Sequence, residues 1–479
     1  MAALRREVVE DRTRRWMRFD EEDLWGPTLV DLQPAWLHVT AEDDEPVQDP
    51  TVPFVREPAP PAPPMTGLDV SALPPPRAWF RRMWKGERLM HYHRLIALAV
   101  VVNALLAWRG AGSAADLALG NFAVALLIRQ HYVINLLFWV ATRAPLQWPL
   151  ALRATLAKVY HFGGVHVGAA LAGTVWYLVA LGARVRQGPP APLAVIVAAQ
   201  ALVLLAICWV SRRSFRGRRH DTFEIVKRLG GWTSLGLFWA ETALTHRPLL
   251  EAPQTWVLAL VSISVALPWL RLRRVAVDLT VPSRHVAIAR FDYGVTPFAG
   301  SSTALSRSPL LEWHSFANIP SPGRPGFRLA ISRAGDWTGK LIDDRPSHIW
   351  VKGIPTAGVA NIEVLFRKVV YVATGSGLGP CLPHLLARKV PARLLWATRD
   401  PRKTYGQELL DEIVGHHPDA VIWDTDVHGK PDLVELAYRL VRESGAEAVI
   451  CISNKAVTWK VVYGLESRGI PAYGAIWDS

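Results

Sequence analysis

The sequence predicts a multidomain chain: an α-helical transmembrane bundle, then an antiparallel β-barrel, then an α/β doubly wound parallel sheet. Three observations lead to this fold class. About six long apolar runs lie between residues 89 and 272. Short β-rich segments, punctuated by Pro and Gly, continue to about residue 363. Apolar strands then alternate with helical segments to the end of the chain.

The same observations divide the chain into four regions. Residues 1–80 form a Pro-rich, largely disordered arm, because they hold few periodic apolar positions and carry proline clusters at 58–64 and 74–76. The charged N-terminus lacks the apolar core of a signal peptide. Residues 81–274 form the bundle, residues 275–365 the barrel and residues 366–479 the parallel sheet.

Composition agrees with a protein that lies partly in a membrane. Half of the 479 residues are hydrophobic, 21 are Trp, and the net charge is +13. The basic residues cluster beside apolar runs and form no stripe with interleaved aromatics, so we expect the lipid bilayer as a partner and no nucleic acid. Three widely spaced cysteines provide neither a disulfide framework nor a Cys-x-x-Cys metal site.

The apolar runs are each close to the ~20 residues that cross a bilayer. We interpret them as six spans, namely Leu89–Trp108, Leu117–Val140, Val159–Leu181, Pro192–Val210, Phe223–Leu244 and Thr255–Leu272. Arg and Lys are concentrated before the first span, after the second, after the fourth and after the sixth. By the positive-inside rule the protein is an integral, multi-pass membrane protein with both termini in the cytoplasm.

A glycine-rich turn follows the first strand of the predicted parallel sheet. Val369–Ala373 reads as a buried strand, and a helix follows from about Leu382. A turn of this type lets a pyrophosphate approach backbone N–H groups at a helix N-terminus, and Pro380 is tolerated there because the first turn needs no donor. Without further context, a strand–turn–helix with no ligand explains the motif equally well. The candidate residues are Gly375, Ser376, Gly377, Gly379 and Pro380.

Six spans, barrel and nucleotide fold in this order resemble the ferric reductase/NADPH oxidase superfamily over about residues 81–479. Within it the likeness is greatest to fungal TmpA/TmpL-type membrane flavoproteins. Glu312 to Phe316 resembles the flavin motif of that family, and Gly335 to Thr338 resembles its flavin-pyrophosphate motif. The turn at Gly375 to Pro380 resembles the NAD(P) turn, and Gly353 to Gly358 resembles the turn that closes the barrel.

The resemblance implies two cofactors, FAD on the barrel and NADPH or NADH on the sheet. Side chains and backbone near the flavin ring and phosphates would orient the FAD, which carries the redox chemistry. The FAD residues that the resemblance implies are Trp313, His314, Ser315, Phe316, Gly335, Trp337 and Thr338. It also implies catalytic positions at Cys451, beside the nicotinamide, and at Trp477, over the flavin. An ordinary strand and a polar turn are the alternatives for the FAD residues, and a Trp that closes the core is the alternative for Trp477.

The end of the second strand of the sheet carries Thr398 and Arg399. A ribose or a 2′-phosphate lies at this place in doubly wound folds, and an Arg there favours NADPH over NADH. A solvated basic loop is the alternative.

The bundle departs from the resemblance at its histidines. Members that carry two haems place two His about 13 residues apart in the third and fifth spans, about 20 Å along a helix. His161 is present in span three, but Thr174 and Val175 stand where its second His would be. A two-haem arrangement is therefore unlikely, whereas a single haem on His161 stays open. Arg129 and Glu241 could form a buried ion pair.

From these residues we expect an integral-membrane flavin-dependent oxidoreductase. Electrons would pass from cytosolic NAD(P)H through FAD to an unknown acceptor at or in the membrane. The alternative is a non-enzymatic sensor or scaffold that retains the fold without an electron path.

Overall fold

The computed structural model of the chain describes residues 73–475 apart from 87–88 and 322–324. Most of the predicted arm and Trp477 lie outside the described residues. The described α-helices are α1 (Trp79–Lys85), α2 (His91–Trp108), α3 (Ala114–Leu127), α4 (His131–Ala141), α5 (Leu150–Leu156), α6 (Gly163–Arg186), α7 (Ala191–Val210), α8 (Arg213–Arg218), α9 (His220–Thr245), α10 (Pro253–Leu270), α11 (Asp336–Asp344), α12 (Leu378–Ala387), α13 (Pro401–Tyr405), α14 (Gln407–His416), α15 (Thr425–His428), α16 (Leu433–Ser444) and α17 (Lys455–Glu466).

The strands fall into three sheets. They are β1 (Leu272–Ala276), β2 (Asp278–Ser283), β3 (Val286–Phe291), β4 (Ser301–Ser306), β5 (His314–Ala317), β6 (Ile319–Pro320), β7 (Phe327–Ser332), β8 (His348–Lys352), β9 (Thr356–Ala357), β10 (Val369–Thr374), β11 (Ala392–Thr398), β12 (Val421–Asp424), β13 (Ala448–Ile452) and β14 (Ala472–Gly474). Of these, β4, β6, β9 and β14 were not predicted from the sequence.

Small residues let the bundle helices approach closely. A Cβ at Gly164 would overlap the backbone of Tyr92 on α2, and one at Gly168 would overlap Ala99. Polar side chains also join the helices, since Asn103 and Asn121 exchange hydrogen bonds of 2.7 and 3.0 Å. This combination of small residues and polar contacts is the packing used between helices in lipid.

Helices form in all six predicted spans, but two of the spans differ from the prediction. Segments long and apolar enough to cross a membrane are His91–Trp108, Leu150–Arg186, Ala191–Val210 and Pro253–Leu270. The second span is not one straight helix, because α3 and α4 meet at 72°. The fifth, α9, is not among the apolar segments. It carries Glu224, Lys227, Arg228 and Glu241 along its length.

Helix α4 turns away from the bundle because its apolar face belongs to another core. Ile134 and Phe138 are buried with Val369 and Tyr371 of the parallel sheet. Asn135 donates to the carbonyl oxygen of Pro355 and accepts from Ala357 N, both at 2.9 Å. The side chain thus pairs with an extended backbone as a neighbouring strand would.

The barrel region consists of two antiparallel sheets around one core. One sheet has the order β1-β8-β4-β5, with β9 on β4, and the other has the order β2-β3-β7-β6. The chain passes between them from β1 to β2, from β3 to β4, from β5 to β6 and from β7 to β8. Alternating residues of β3, β7 and β8, such as Phe291, Leu329 and Val351, fill the space between the sheets.

The C-terminal sheet is parallel throughout, with the order β12-β11-β10-β13-β14. Its central strand β10 is buried from Val369 to Ala373, as expected for a strand covered on both faces. The order reverses between β10 and β13, which makes this pair the topological switch point.

The arm is predicted to run to residue 80, but its last residues contact this sheet region. Arg77 N donates to Ser467 O at 2.9 Å, Arg468 Nε donates to Pro74 O at 2.8 Å, and α1 begins at Trp79. The last residues of the predicted arm therefore pack against the folded part of the chain.

Candidate functional site

The glycine-rich turn lies at the switch point of the parallel sheet. Strand β10 ends at Thr374, residues 375–377 form a single tight turn, and α12 starts at Leu378. Gly375 has φ +47°, which favours glycine. A Cβ at Gly377 would overlap the carbonyl oxygen of Ile452 at the end of β13. The turn can therefore lie against β13 only if this residue is glycine.

Neighbouring strands fix the turn through hydrogen bonds. Trp396 Nε1 on β11 donates to the carbonyl oxygen of Gly375 at 2.9 Å. The hydroxyl groups of Thr374 and Ser453 hydrogen-bond each other across the switch point. Neither Trp396 nor Ser453 is a predicted site residue, because a role in shaping a turn leaves no local motif.

A narrow crevice separates the turn from the barrel. Ser376 and Gly379 line one wall, and Ala330 and Ser332 of β7 line the other. Tyr405, at the end of α13, closes one side. Burial raises the pKa of Tyr405, so the phenol is a neutral hydrogen-bonding group at physiological pH. The crevice matches the place where open α/β sheets bind ligands, outside the carboxyl ends of the strands.

The barrel brings two of its predicted motifs together in an aromatic stack. The rings of His314 and Trp337 are stacked with centroids 4.2 Å apart, and Phe316 lies 6.1 Å from Trp337 at an interplanar angle of 22°. Trp337 Nε1 donates to Glu312 Oε1 at 2.5 Å. The arrangement presents a flat, half-buried aromatic surface.

The other two residues of that motif are not in the stack. Strand side chains alternate between faces, so Trp313 and Ser315 point away from His314 and Phe316. The ring centroids of Trp313 and Trp269 of the bundle are 6.3 Å apart. The Nζ atom of Lys352 lies 4.3 Å from the centroid of the Trp313 ring. Ser315 is exposed. In this structure, Trp313 therefore connects the barrel to the bundle and is not part of the aromatic surface.

Gly335 precedes α11, a helix of nine residues, and is half-buried, with open space where a side chain would be. A Cβ placed there would meet no atom within 4 Å, and the extended backbone (φ 163°) is open to any residue. Thr338 stabilises the turn, since its hydroxyl accepts from Ala334 N at 2.9 Å and donates to Gly335 O at 3.0 Å. Ser332, on the crevice wall, is three residues upstream. The crevice and the α11 N-terminus thus lie along one stretch of chain.

Thr398 and Arg399 follow β11 at the carboxyl edge. Thr398 is buried and shares a hydrogen bond with Tyr405. The side chain of Arg399 is 82% exposed and lies 3.9 Å from Asp426. An exposed pair at this distance contributes little to stability, so the guanidinium group is available to an anion.

Cys451 does not reach the carboxyl edge. Its side chain is fully buried in the core between the sheet and α16 and α17, and burial raises the pKa of the thiol to about 12. Cys381 is also fully buried, with a raised pKa from the same cause. Neither thiol is placed to act on a ligand in the crevice, which contradicts the predicted catalytic role of Cys451.

The polar side chains of the bundle correct one prediction and leave another open. Glu241 pairs with Arg184 and accepts from Tyr177 Oη at 2.9 Å, so the predicted pair with Arg129 is wrong. His161 is buried against Tyr160 and His91, with ring centroids 4.4 and 5.7 Å away. Among the described residues, no three His, Cys, Asp or Glu side chains converge to hold a metal ion. A haem on His161 stays a prediction.

Comparison with known proteins identifies adenylate-forming reductases as relatives. Residues 359–479 match the family model of the C-terminal domain of adenylate-forming reductase 03009. Adenylate-forming reductases 03009 and 06235 of Coprinopsis cinerea are 43% identical to this chain over 411 and 412 residues. The alignments cover 81% of this chain but only 40% of each relative. The predicted resemblance to ferric reductases did not name these relatives.

Part of this chain is also similar to solved structures of reductases. A ferredoxin NADP+ reductase from Neisseria gonorrhoeae with bound FAD and NADP has 13% identity and a TM-score of 0.34, and the match covers 43% of this chain and 98% of that one. Phthalate dioxygenase reductase has 20% identity and a TM-score of 0.33, covering 43% and 69% of the two chains.

Proposed function

We propose that this chain is an NAD(P)H-dependent flavin oxidoreductase held in a membrane by its helical bundle. The observation that carries the proposal is the crevice at the switch point. It places the glycine turn at Gly375–Gly377 opposite β7, the strand that leads to Gly335 and Trp337. The proposed nucleotide site and the proposed flavin site would then be connected through this strand.

The residues of the sheet fit a pyridine nucleotide. Backbone N–H groups at the start of α12 and the dipole of this ten-residue helix suit a pyrophosphate. Ser376 and Tyr405 would provide polar contacts inside the crevice, and Arg399 would bind a 2′-phosphate. The exposed guanidinium group makes NADPH the better candidate of the two nucleotides.

The residues of the barrel fit FAD. His314, Phe316 and Trp337 would hold a flat ring system against their stack, and the open space at Gly335 would admit phosphate to the N-terminus of α11. When bound, FAD supplies hydride and single-electron chemistry that no side chain has. The work of the chain is to orient this cofactor and the nucleotide and to exclude water between them.

The bundle surface supports the membrane location. Between 11% and 39% of each apolar window is buried inside the protein, so most of it faces outward. Leu98, Val195, Leu202 and Ile263 are more than half exposed. An apolar surface of this extent needs a nonpolar environment, and lipid provides one.

The relatives agree with a redox role, because their names identify them as reductases. The chain spans 40% of the length of these relatives, and its electron acceptor is a separate question. We propose an acceptor at or in the membrane, since the barrel contacts the bundle through Trp313 and Trp269.

The visible spectrum of the detergent-solubilised full chain tests the proposal. We expect a flavin band that bleaches on anaerobic addition of NADPH, and more slowly with NADH, which serves as the matched control for the 2′-phosphate. Flavin that stays oxidised with both nucleotides would point to the sensor or scaffold instead. A protein without flavin that oxidises neither nucleotide, even with an artificial acceptor, would overturn the proposal. The same spectrum would reveal a haem band.

A further inference from the structure

A second pocket, which we call the junction pocket, lies where the bundle meets the edge of the parallel sheet. It is distinct from the crevice, with which it shares no lining residue among those described. Its walls come from the start of the bundle (Lys85, His91 and Arg94), from the segment before α6 (Lys158, Tyr160 and His161), and from α17 and the end of β14. Because β14 and β12 are at opposite edges of the sheet, the pocket and Arg399 lie on opposite sides of the glycine turn.

The pocket carries an excess of positive charge. Four cationic side chains line it, and Glu466 is the one carboxylate among its described lining residues. Lys158 contacts Glu466 at 2.7 Å and Lys85 contacts it at 3.6 Å. Two cations therefore share this one carboxylate, and the guanidinium group of Arg94 is a third positive charge beside it. An anion would bind here favourably.

Two donors in the pocket have no hydrogen-bond partner among the described residues. They are Nε of Arg94 and Nδ1 of His161, a residue only 5% exposed, whose Nδ1 donates in the tautomer that carries the proton there. Arg94 is nevertheless held in place, since its guanidinium group lies 3.7 Å above the ring of Trp84 and donates to the carbonyl oxygen of that residue. A buried polar group without a partner costs free energy, and an incoming acceptor removes this cost.

We propose that the junction pocket binds a phosphoryl anion. Guanidinium, ammonium and imidazole groups that converge from three sides suit an anion with several acceptor oxygens. His91 and Arg94 lie in the first turn of α2, at the end of an apolar helix. A basic pocket at such a helix end is the arrangement that recognises the headgroups of anionic lipids, and a soluble phosphate ester offers the same chemistry.

Native mass spectrometry of the detergent-solubilised full chain tests the proposal and separates the two sources. Phosphatidic acid, phosphatidylcholine and glycerol 3-phosphate are each added to the wild type. Retention of phosphatidic acid over phosphatidylcholine identifies a lipid headgroup site, and retention of glycerol 3-phosphate identifies a soluble ester. Retention of neither phosphate monoester would overturn the proposal. The measurement uses no flavin signal, so it is independent of the proposed oxidoreductase activity.

Variants locate the binding. Arg94→Gln and Lys455→Gln each remove one charge from the pocket, and we expect at least about tenfold weaker binding, as for the loss of one charge-assisted hydrogen bond. Arg109→Gln, at the opposite end of α2, is the matched control and should bind as the wild type does. His161→Gln tests the unpartnered imidazole. Equal retention by all four variants would overturn the proposal, and melting temperatures identify any variant that is misfolded.

Discussion

Two turns in this protein lead from a strand into a helix, and each contains a glycine for a different reason. At the sheet turn, a Cβ on Gly377 would overlap the backbone of Ile452. At the barrel turn, a Cβ on Gly335 would meet nothing within 4 Å, and the backbone there is extended. The fold itself requires the first glycine, whereas nothing in the described structure requires the second.

The difference shows where a ligand must be invoked. The sheet turn would keep its shape in an empty protein, since Ile452 and Trp396 define it from two neighbouring strands. Gly335 faces open space at a helix N-terminus, where only an incoming group would benefit from the missing side chain. The packed turn therefore serves the fold, and the open turn is where we expect a ligand to bind.

The largest effect on stability is expected for Gly377→Ala. The new methyl group would have to displace the main chain of β13 from the turn, and overpacking against backbone costs about 3 kcal/mol or more. Thermal unfolding in detergent should show a fall of at least about 5 °C for a cost of this size, and NADPH binding should be lost with it.

Gly415→Ala is the matched control for this substitution. Gly415 is in α14 of the same region, and a Cβ there meets no atom within 4 Å. Alanine favours a helix over glycine, so the melting temperature should stay the same or rise slightly. If Gly377→Ala melted as Gly415→Ala does, the turn would not be fixed by β13.

A smaller loss of stability is expected for Trp337→Leu. The substitution removes the ring that stacks on His314 and the hydrogen bond to Glu312, and each contact is worth about 1 kcal/mol. Flavin retention on a desalting column should fall more clearly than the melting temperature. Trp337→Phe keeps a ring and loses only the hydrogen bond, so it should retain flavin. Equal flavin content in all three proteins would remove this stack from the site.

Lys352 gives the barrel a pH-dependent contribution to stability, opposite in sign to that of the buried thiols of the sheet, Cys381 and Cys451. Burial, with a smaller contribution from Arg228, lowers the pKa of Lys352 to about 8. Since the unfolded chain keeps the ordinary pKa near 10.5, it binds more protons than the folded chain between about pH 8 and pH 10.5, and stability rises across this window. Below pH 8 the folded protein carries the full cost of a buried charge.

Lys352→Met should therefore melt at a higher temperature than the wild type at pH 7, and the difference should shrink by pH 9.5. Thermal unfolding of both proteins at the two pH values measures it. The attraction between the charged Lys352 and the Trp313 ring stabilises the folded wild type and so opposes the cost of burying the charge. If Lys352→Met were less stable at pH 7, that attraction would exceed the cost of burial.

Patterns of hydrophobicity predicted the order of the elements well. The strand at Val369–Ala373 and the helices of the bundle follow from runs and periods that act within one segment. Strand β14 was missed because its three residues are too short for a pattern, although they are fully buried. The bend between α3 and α4 was missed for another reason: Ile134 and Phe138 look like lipid-facing residues, and only the distant sheet shows that they belong to its core.

The candidate site also has residues that local motifs predict and residues that only the fold brings together. Glycine turns carry local motifs, so Gly375 to Pro380 and Gly335 to Thr338 could be found in the sequence. The strand at His314 to Phe316 carries a motif too. Because side chains alternate along a strand, only His314 and Phe316 lie in the stack, and the fold is needed to show that Trp337 stacks with them. Cys451 shows the limit of motifs, because a cysteine at the end of a strand can point into the core. Tyr405 had no sequence signal, since its role arises from the contact between two domains.

The smallest effect on stability is expected for Gly335→Ala. The site has room for a methyl group and an extended backbone that alanine adopts readily, so the free energy of unfolding should change by no more than about 0.5 kcal/mol. FAD should nevertheless dissociate more readily, because the methyl group would occupy the space through which a phosphate reaches the helix N-terminus. A flavin titration of the apoprotein measures this, with Gly415→Ala as the control. A protein that lost stability but kept its flavin affinity would reverse the distinction between the two turns, since the open glycine would then serve the fold and not a ligand.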